Sequence, residues 1–404
     1  MAPAHPRHDR ILVAMCVLIA VNQLGFGGIV PVMALYARSF DVVQSAIGLA
    51  IGVYGLARFL VAVPTGQLAD RFGRRATLVL GGLVTALGNL LCAYAPSFPT
   101  LVAARFVAGA GASMILISGV IVLADITTPA TRGRTMAIYQ GVFTFAVGVG
   151  PLPGGVLAER FGLHAPFLVY AGAGLLAAAV AWLHIPETRD ARRDEATGAA
   201  APPLPAFATQ MRILTGHAGF LLVSLISFMS AFARTGALFN VIPVLAQDRL
   251  ALTAERIGLA LAVAGVVGLA VAYPAGVLVD RFGRKVVIVP ATIGSGLSLL
   301  LFVAPPSYAW FLAACVAWSV AVGVSAAAPA AYAADVAPPG MNAAAMSSYR
   351  MLSDLGYVVG PIALGALSDV FGAETALTVT AALLVAAALL FARFAPETYR
   401  RSPI

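Results

Sequence analysis

Apolar runs of about 20 residues follow one another along almost the whole 404-residue chain, and no other feature narrows its folding options as much. At about 1.5 Å per residue, each run is long enough as a helix to cross a hydrocarbon layer of about 30 Å. No water is present there to satisfy the backbone, so spanning segments must be helices or the strands of a closed barrel. Continuously apolar runs, as opposed to alternation over about ten residues, select helices. The chain is 60% hydrophobic and 10% charged, against about 45–50% and about 25% for soluble domains. An all-α membrane protein with twelve transmembrane helices is expected. The spans are 11–36, 46–68, 76–94, 99–124, 134–158 and 165–185, then 217–246, 255–279, 286–304, 308–334, 342–367 and 373–394. The first run is too long for a cleaved signal peptide and is expected to be retained.

Basic residues fix the orientation. With the N-terminus in the cytoplasm, only Arg38, Arg160, Arg249 and Arg256 among the loop and helix-end cations fall outside, as the positive-inside rule requires. A multi-pass protein of the cell inner (plasma) membrane with both termini cytoplasmic follows. The formal charge of +8 is then an orientation signal and not a nucleic-acid-binding face. Cys16, Cys92 and Cys315 lie in spans without CxxC spacing, as small core residues and not as a disulfide framework or zinc site. No metal or cofactor site is expected. The sequence has no G-x-x-x-x-G-K-[ST], H-E-x-x-H or G-x-S-x-G stretch, which argues against ATP hydrolysis through a P-loop and against an enzyme.

The chain repeats itself at an offset of 210. That offset joins Asp70 to Asp280, Ile47-Gly48-Leu49-Ala50 to Ile257-Gly258-Leu259-Ala260, Asp125 to Asp335, Gly150-Pro151 to Gly360-Pro361, and Pro186-Glu187-Thr188 to Pro396-Glu397-Thr398. An even number of spans per copy keeps both copies in one orientation, so they are parallel six-helix repeats. The expected organisation is an N-terminal half (1–185), a cytoplasmic linker (186–216) and a C-terminal half (217–404). The linker is charged and then rich in Ala and Pro, with room for a short amphipathic helix near 207–214.

The most charged repeat is Gly66…Asp70-Arg71-Phe72-Gly73-Arg74-Arg75, which returns as Gly276…Asp280-Arg281-Phe282-Gly283-Arg284-Lys285. Glycine suits the tight turn, and the cations hold the loop at the anionic headgroups. Asp70 ends a span, where a carboxylate can face the partial positive charge of a helix N-terminus. Twelve spans in two parallel halves with this doubled stretch resemble the major facilitator superfamily. Two more stretches resemble its twelve-span drug:proton antiporter branch: Leu101-x-x-x-Arg105-x-x-x-Gly109-x-Gly111-Ala112, and Gly150-Pro151-x-x-Gly154-Gly155. The resemblance implies a conformational latch in which Asp70 faces the start of span eleven near Asn342, and Asp280 the start of span five near Arg134. The latch set is Gly66, Asp70, Arg71, Gly73, Arg74 and Asp125 with Gly276, Asp280, Arg281, Gly283, Arg284 and Asp335. It also implies an antiporter motif at Gly150, Pro151, Gly154 and Gly155, where glycine and proline serve either close helix packing or coupling.

Charges within spans cost at least about 2.5 kcal/mol each at a helix centre. Arg58, Arg105, Arg234 and Arg350 lie there, against one carboxylate, Asp354. Asp354 follows Arg350 by four positions, so the two share a helix face and can pair. Asp354 is then either half of a structural ion pair or the proton-coupling group, tuned by Arg350 and Arg105. Span one carries Asn22 and Gln23 but no acid. A cavity of positive sign suits neutral amphipaths or organic anions better than lipophilic cations. Candidate substrate contacts are Asn22, Gln23, Phe26, Tyr54, Arg58, Arg105, Met114, Phe143, Arg234, Asn240, Trp318, Arg350 and Tyr357.

The expected function is proton-coupled export of a small drug-like organic molecule by alternating access, by a monomer whose partners are substrate, protons and the bilayer. Two alternatives remain: a facilitator or importer of small organic anions without proton coupling, and a non-transporting membrane receptor or scaffold.

Overall fold

The computed structural model of the chain describes residues 6–127, 129–188, 212–325, 328–338 and 341–398. Most of the linker lies outside the described residues, including most of the helix expected near 207–214. The described residues form helices and connecting turns, with no strand among them. The N-terminal set is α1 (Pro6–Arg38), α2 (Gln44–Phe72), α3 (Arg74–Ala93), α4 (Phe98–Asp125), α5 (Pro129–Val149), α6 (Pro151–Phe161) and α7 (Ala165–His184). The second begins with α8 (Ala218–Ala233), a π-helical segment (Arg234–Val241) and α9 (Ile242–Leu250). It continues through α10 (Ala254–Phe282), α11 (Arg284–Leu300), α12 (Tyr308–Ser325), α13 (Ala328–Asp335), α14 (Asn342–Phe371) and α15 (Ala373–Phe394).

The chain separates into two compact units. Unit 1 holds residues 1–42, 53–200 and 253–259; unit 2 holds 43–52, 201–252 and 260–404. The first turns of α2 thus belong with unit 2, and the first turns of α10 with unit 1.

Eleven of the described helical stretches are long and apolar enough to cross a bilayer, where twelve were expected. The remaining span, expected at 286–304, is α11. Its 17 residues end at Leu300 in a turn over 301–303. Span five, expected as one helix, is split between α5 and α6. Pro151 and Pro153 both remove amide donors there, whereas α14 carries only Pro361 at the equivalent place and runs unbroken. Span seven is continuous from Ala218 to Leu250 but widens into π geometry over eight residues. Pro243 stands just beyond that segment, and its ring crowds the carbonyl four residues before it.

The repeat is present in the backbone itself. Gly73 and Gly283 have φ of 96° and 103°, and Gly162 and Gly372 have φ of 91° and 84°. Each pair is 210 apart, and each turns one helix into the next through a region that side chains rarely adopt.

Within unit 1, α3 packs against α4 and α7. Gly88 lies on the Ala108 backbone and Gly111 on the Thr85 amide, closer than any side chain would permit, the small-residue packing expected where lipid gives no hydrophobic drive. In unit 2, Ser298 and Trp318 occupy the places of Gly88 and Ala108. There an apolar cleft of about 470 Å³ opens between α11 and α12. The outward face of α3 presents Leu80, Leu83, Leu87 and Leu90, a helical stripe suited to acyl chains.

Candidate functional site

The loop after α2 is built on one carboxylate. Glu187 accepts the backbone N–H of Arg74 at 2.9 Å and that of Arg75 at 3.3 Å, satisfying first-turn donors of α3 that have no partner within the helix. Its carboxyl group occupies the space where Gly73 would carry a side chain. The Arg74 side chain, 6% exposed, reaches three places: Asp125 Oδ2 at 3.0 Å, Asp70 Oδ1 at 3.0 Å and the Ala69 carbonyl at 2.9 Å. The Asp125 side chain has no exposure, and its Oδ2 also accepts a hydrogen bond from Thr188 Oγ1 at 3.0 Å. Arg75 lies over the Trp182 ring and donates to the Trp182 carbonyl.

Unit 2 repeats the carboxylate contacts of this arrangement. Glu397 accepts from the Arg284 and Lys285 amides at 3.2 and 3.1 Å. Arg284 Nε meets Asp335 Oδ2 at 3.0 Å, and Thr398 Oγ1 donates to the same oxygen at 3.0 Å. Here the pair is more open, with Arg284 19% and Asp335 34% exposed. The side chains of Asp280 and Asn342 lie outside the described residues. Asp70 is 74% exposed, and its ion pair is with Arg74 of its own unit. Arg71 and Arg281 each lie over the phenylalanine that follows, Phe72 and Phe282.

Nearer the middle of the helices, unit 1 gathers a polar cluster. Asn22 and Gln23, both buried, are joined by an Nδ2–Oε1 hydrogen bond of 2.8 Å. Phe26 stacks on Tyr54 with ring centroids 5.4 Å apart, and the Arg105 guanidinium lies over the Tyr54 ring at 4.4 Å. Arg105 is only 2% exposed. It is therefore enclosed inside unit 1 as a cation on an aromatic face, rather than open to a ligand as its place in the expected contact set implied. Arg58 is half-buried, and its carbonyl accepts from Ser113 Oγ at 2.9 Å. Met114 packs on Gly81, and half-buried Phe143 on the apolar core around Met15, so both lie in helix packing.

In unit 2, Arg234 opens the π-helical segment and is exposed; Asn240, near its end, is fully buried. Asn240 Nδ2 donates to the Pro361 carbonyl at 2.8 Å, and Thr235 Oγ1 to the Tyr357 carbonyl at 3.2 Å. Trp318 and Tyr357 are buried. Arg350 is exposed and Asp354 half-buried on α14. The ion pair that their spacing allows is not formed: among the described residues, no salt bridge joins them. A shared helix face allows contact, but an exposed arginine has many rotamers that avoid it.

A family model described as Major Facilitator Superfamily matches residues 15–270 and 223–404. The chain belongs to the major facilitator superfamily. It is a multi-pass membrane transporter and not an enzyme. Among relatives of this superfamily, Multidrug resistance protein 1 of Bacillus subtilis (strain 168) is 27% identical over 388 residues, covering 94% of this chain and 95% of that protein. The class C tetracycline resistance protein of Escherichia coli is 29% identical over 301 residues, covering 73% and 74%. In fold, the chain is similar to the crystal structure of a bacterial homologue of the human lysosomal transporter Spinster. The TM-score is 0.77 at 18% identity, covering 96% of this chain and 97% of that one.

Within this superfamily fold, the antiporter-like stretch lies at the α5–α6 break. Gly150 and Gly154 rest on the α1 backbone at Gly27 and Gly28, and Gly155 rests on Ala254. Sequence reasoning missed two buried polar residues of unit 1. Tyr170 of α7 donates to Asn22 Oδ1 at 3.4 Å. Asn89 of α3 donates to the Thr85 carbonyl at 2.8 Å, while its own Oδ1 has no partner among the described residues. A single tyrosine or asparagine in an apolar run carries no periodic signal, so spacing alone did not single them out.

Proposed function

We propose that this transporter is a proton-coupled exporter of drug-sized, neutral or anionic amphipaths, working by alternating access. The observation that carries the reading is the distribution of charge. In unit 1, every described carboxylate sits near a helix end or in a connecting segment, while Arg58 and Arg105 lie inside the helices. In unit 2, Asp354 is the one carboxylate away from a helix end among the described residues. A site of that sign favours substrates that bring negative charge or none: Arg105, held on Tyr54, acts through its field, and the half-buried Arg58 fork suits a carboxylate or phosphate. Efflux is supported by the multidrug and tetracycline resistance relatives.

Asp354 carries the coupling proton in this scheme. The lack of an ion pair with Arg350 supports it, because a carboxylate locked in a salt bridge is a poor proton carrier. The doubled Arg74/Arg284 network supplies rigid loop ends beside Asp70 and Asp280, the carboxylates of the latch that the superfamily resemblance implies. The deciding experiment uses purified protein in proteoliposomes with an imposed pH gradient. Uphill movement of an amphipathic organic anion, abolished by collapsing the gradient, is expected. Gradient-independent equilibration would instead establish the facilitator reading.

A further inference from the structure

The first turn of α2 has no cap of its own. Val43 precedes it, and valine has no side-chain acceptor for the free amides of a helix start. A carboxylate 325 residues away supplies the acceptors: Asp369 Oδ1 takes the Gln44 N–H at 2.8 Å and Oδ2 the Ser45 N–H at 2.9 Å. The Gln44 side chain adds a second fastening. Its Nε2 donates to the Asn240 carbonyl at 3.1 Å and to Asn240 Oδ1 at 2.8 Å, and Asn240 Nδ2 donates onward to the Pro361 carbonyl. All of these residues belong to unit 2. Beneath them the backbones touch, Gly48 against the Pro361 carbonyl and Gly365 against the Gln44 carbonyl.

The copy 210 residues away has the same close approach without the fastening. Gly258 lies on the Pro151 carbonyl and Gly155 on the Ala254 carbonyl. Yet Ala254, Glu159 and Val30 stand where Gln44, Asp369 and Asn240 stand. There α10 is capped locally, by Thr253 Oγ1 accepting the Arg256 N–H at 3.4 Å. One helix start can leave its neighbour with its cap attached, and the other cannot.

We infer that Gln44, Asn240 and Asp369 form a one-sided polar latch that holds the start of α2 on α14 and the π-helical segment, and that its release sets how often this end opens. The equivalent contact of α10 with α6 is a close backbone approach in which Ala254 and Val30 carry no polar side chain in place of Gln44 and Asn240. The inference rests on the transporter reading for its purpose, but the contact can be tested without substrate.

The test places a single cysteine at Ile47, which is 1% exposed, in full-length protein with Cys16, Cys92 and Cys315 replaced by serine or alanine. Labelling by a membrane-impermeant maleimide is followed in vesicles of both orientations. Asp369→Ala and Gln44→Ala are each expected to speed labelling by about tenfold, the order expected for losing hydrogen bonds to a charged or buried partner. Glu159→Gln is expected to leave the rate unchanged. Val43→Asp supplies a local cap. Added to Asp369→Ala, it is expected to restore thermal stability while labelling stays fast. Parental labelling rates in both Asp369→Ala and Gln44→Ala would overturn the latch. So would a return to the parental rate on adding Val43→Asp, since Asp369 would then be a helix cap only. Fast labelling in a protein that moves no substrate uphill would leave the latch standing and remove the exporter reading.

Discussion

Asp125 and Asp335 make the same two bonds in the two units, but at different depths, and substituting each in turn measures what that depth is worth. Replacing Asp125 by alanine removes the partner of Arg74 Nε in a place where the aspartate is 0% and the arginine 6% exposed. The buried guanidinium retains the Ala69 carbonyl and a largely exposed Asp70. Thr188 Oγ1 also loses its acceptor. Breaking a buried pair from one side costs about 3–5 kcal/mol, and the retained partners place this case near the lower end, at about 3 kcal/mol. At Asp335 the partners are 34% and 19% exposed, and solvent screening reduces the expected cost to about 1 kcal/mol or less. For folding units of about 200 residues, each kcal/mol moves a melting temperature by about 2–4 °C. Asp125→Ala should therefore lower it by about 6–12 °C, and Asp335→Ala by no more than about 4 °C. The assay is thermal unfolding of the purified protein in one detergent at one scan rate, followed by tryptophan fluorescence. Equal shifts, or a larger one at Asp335, would refute the argument that burial sets the strength of these pairs.

Four further outcomes are expected. Gly73→Ala, at φ 96° with the Glu187 carboxyl group in the way, should cost about 1–3 kcal/mol of stability, whereas Gly66→Ala, with open space around it, should be near neutral in the same unfolding assay. Asp70→Asn should raise cysteine accessibility at the cytoplasmic mouth and slow turnover without weakening substrate binding; unchanged accessibility with normal turnover would reduce the loop to an insertion signal. Asp354→Asn should abolish uphill transport in proteoliposomes with an imposed pH difference but preserve substrate exchange, and accumulation by the mutant would exclude Asp354 as the coupling site. Organic anions or neutral amphipaths should stabilise the purified protein more than quaternary ammonium compounds do, and Arg58→Ala or Arg234→Ala should remove much of that effect; preferential stabilisation by cations, indifferent to both substitutions, would make these arginines structural.

The repeat was legible because its markers are local. Asp70-Arg71-Phe72-Gly73 announces a turn wherever it stands, and its return 210 residues later aligns helix ends to the residue: α2 runs Gln44–Phe72 and α10 runs Ala254–Phe282. The features that escaped depend on partners remote in sequence. Asp369 looks like an ordinary charge at a span end until the amides of Gln44 and Ser45 are seen against it. The π-helical turns before Pro243 depend on how neighbouring backbone meets the displaced carbonyls, and a proline by itself does not specify that outcome. Arg350 and Asp354 show the converse. Their spacing permits a pair, but side-chain freedom at an exposed site outweighs the small gain that pairing offers. Arg105 was found by its motif, yet its enclosure by Tyr54 follows from helix packing around Ala108 and Ala112.

The two copies agree at their ends and differ in their middles, and physical chemistry accounts for both. At the loop ends, Glu187 and Glu397 must satisfy the same pair of amides, and Asp125 and Asp335 must meet the same guanidinium nitrogen, so a change at one position leaves buried donors without acceptors. Mid-helix positions carry no such backbone obligation. There Asn22, Gln23, Tyr54, Arg58 and Arg105 in unit 1 stand opposite Phe232, Ala233, Ala264, Gly268 and Cys315 in the repeat, while Arg234, Arg350 and Asp354 of unit 2 stand opposite Leu24, Gln140 and Thr144. Each half carries a set of mid-helix charges that the other lacks at the equivalent positions. On the exporter reading this divides the labour. Unit 1 supplies a mid-helix positive field without an acid, with Arg58 its half-buried and accessible member, and unit 2 supplies the carboxylate that exchanges a proton. A carboxylate added at Gln23 would then alter which substrates are accepted, whereas a change at Asp125 or Glu187 would act first on the stability of its unit.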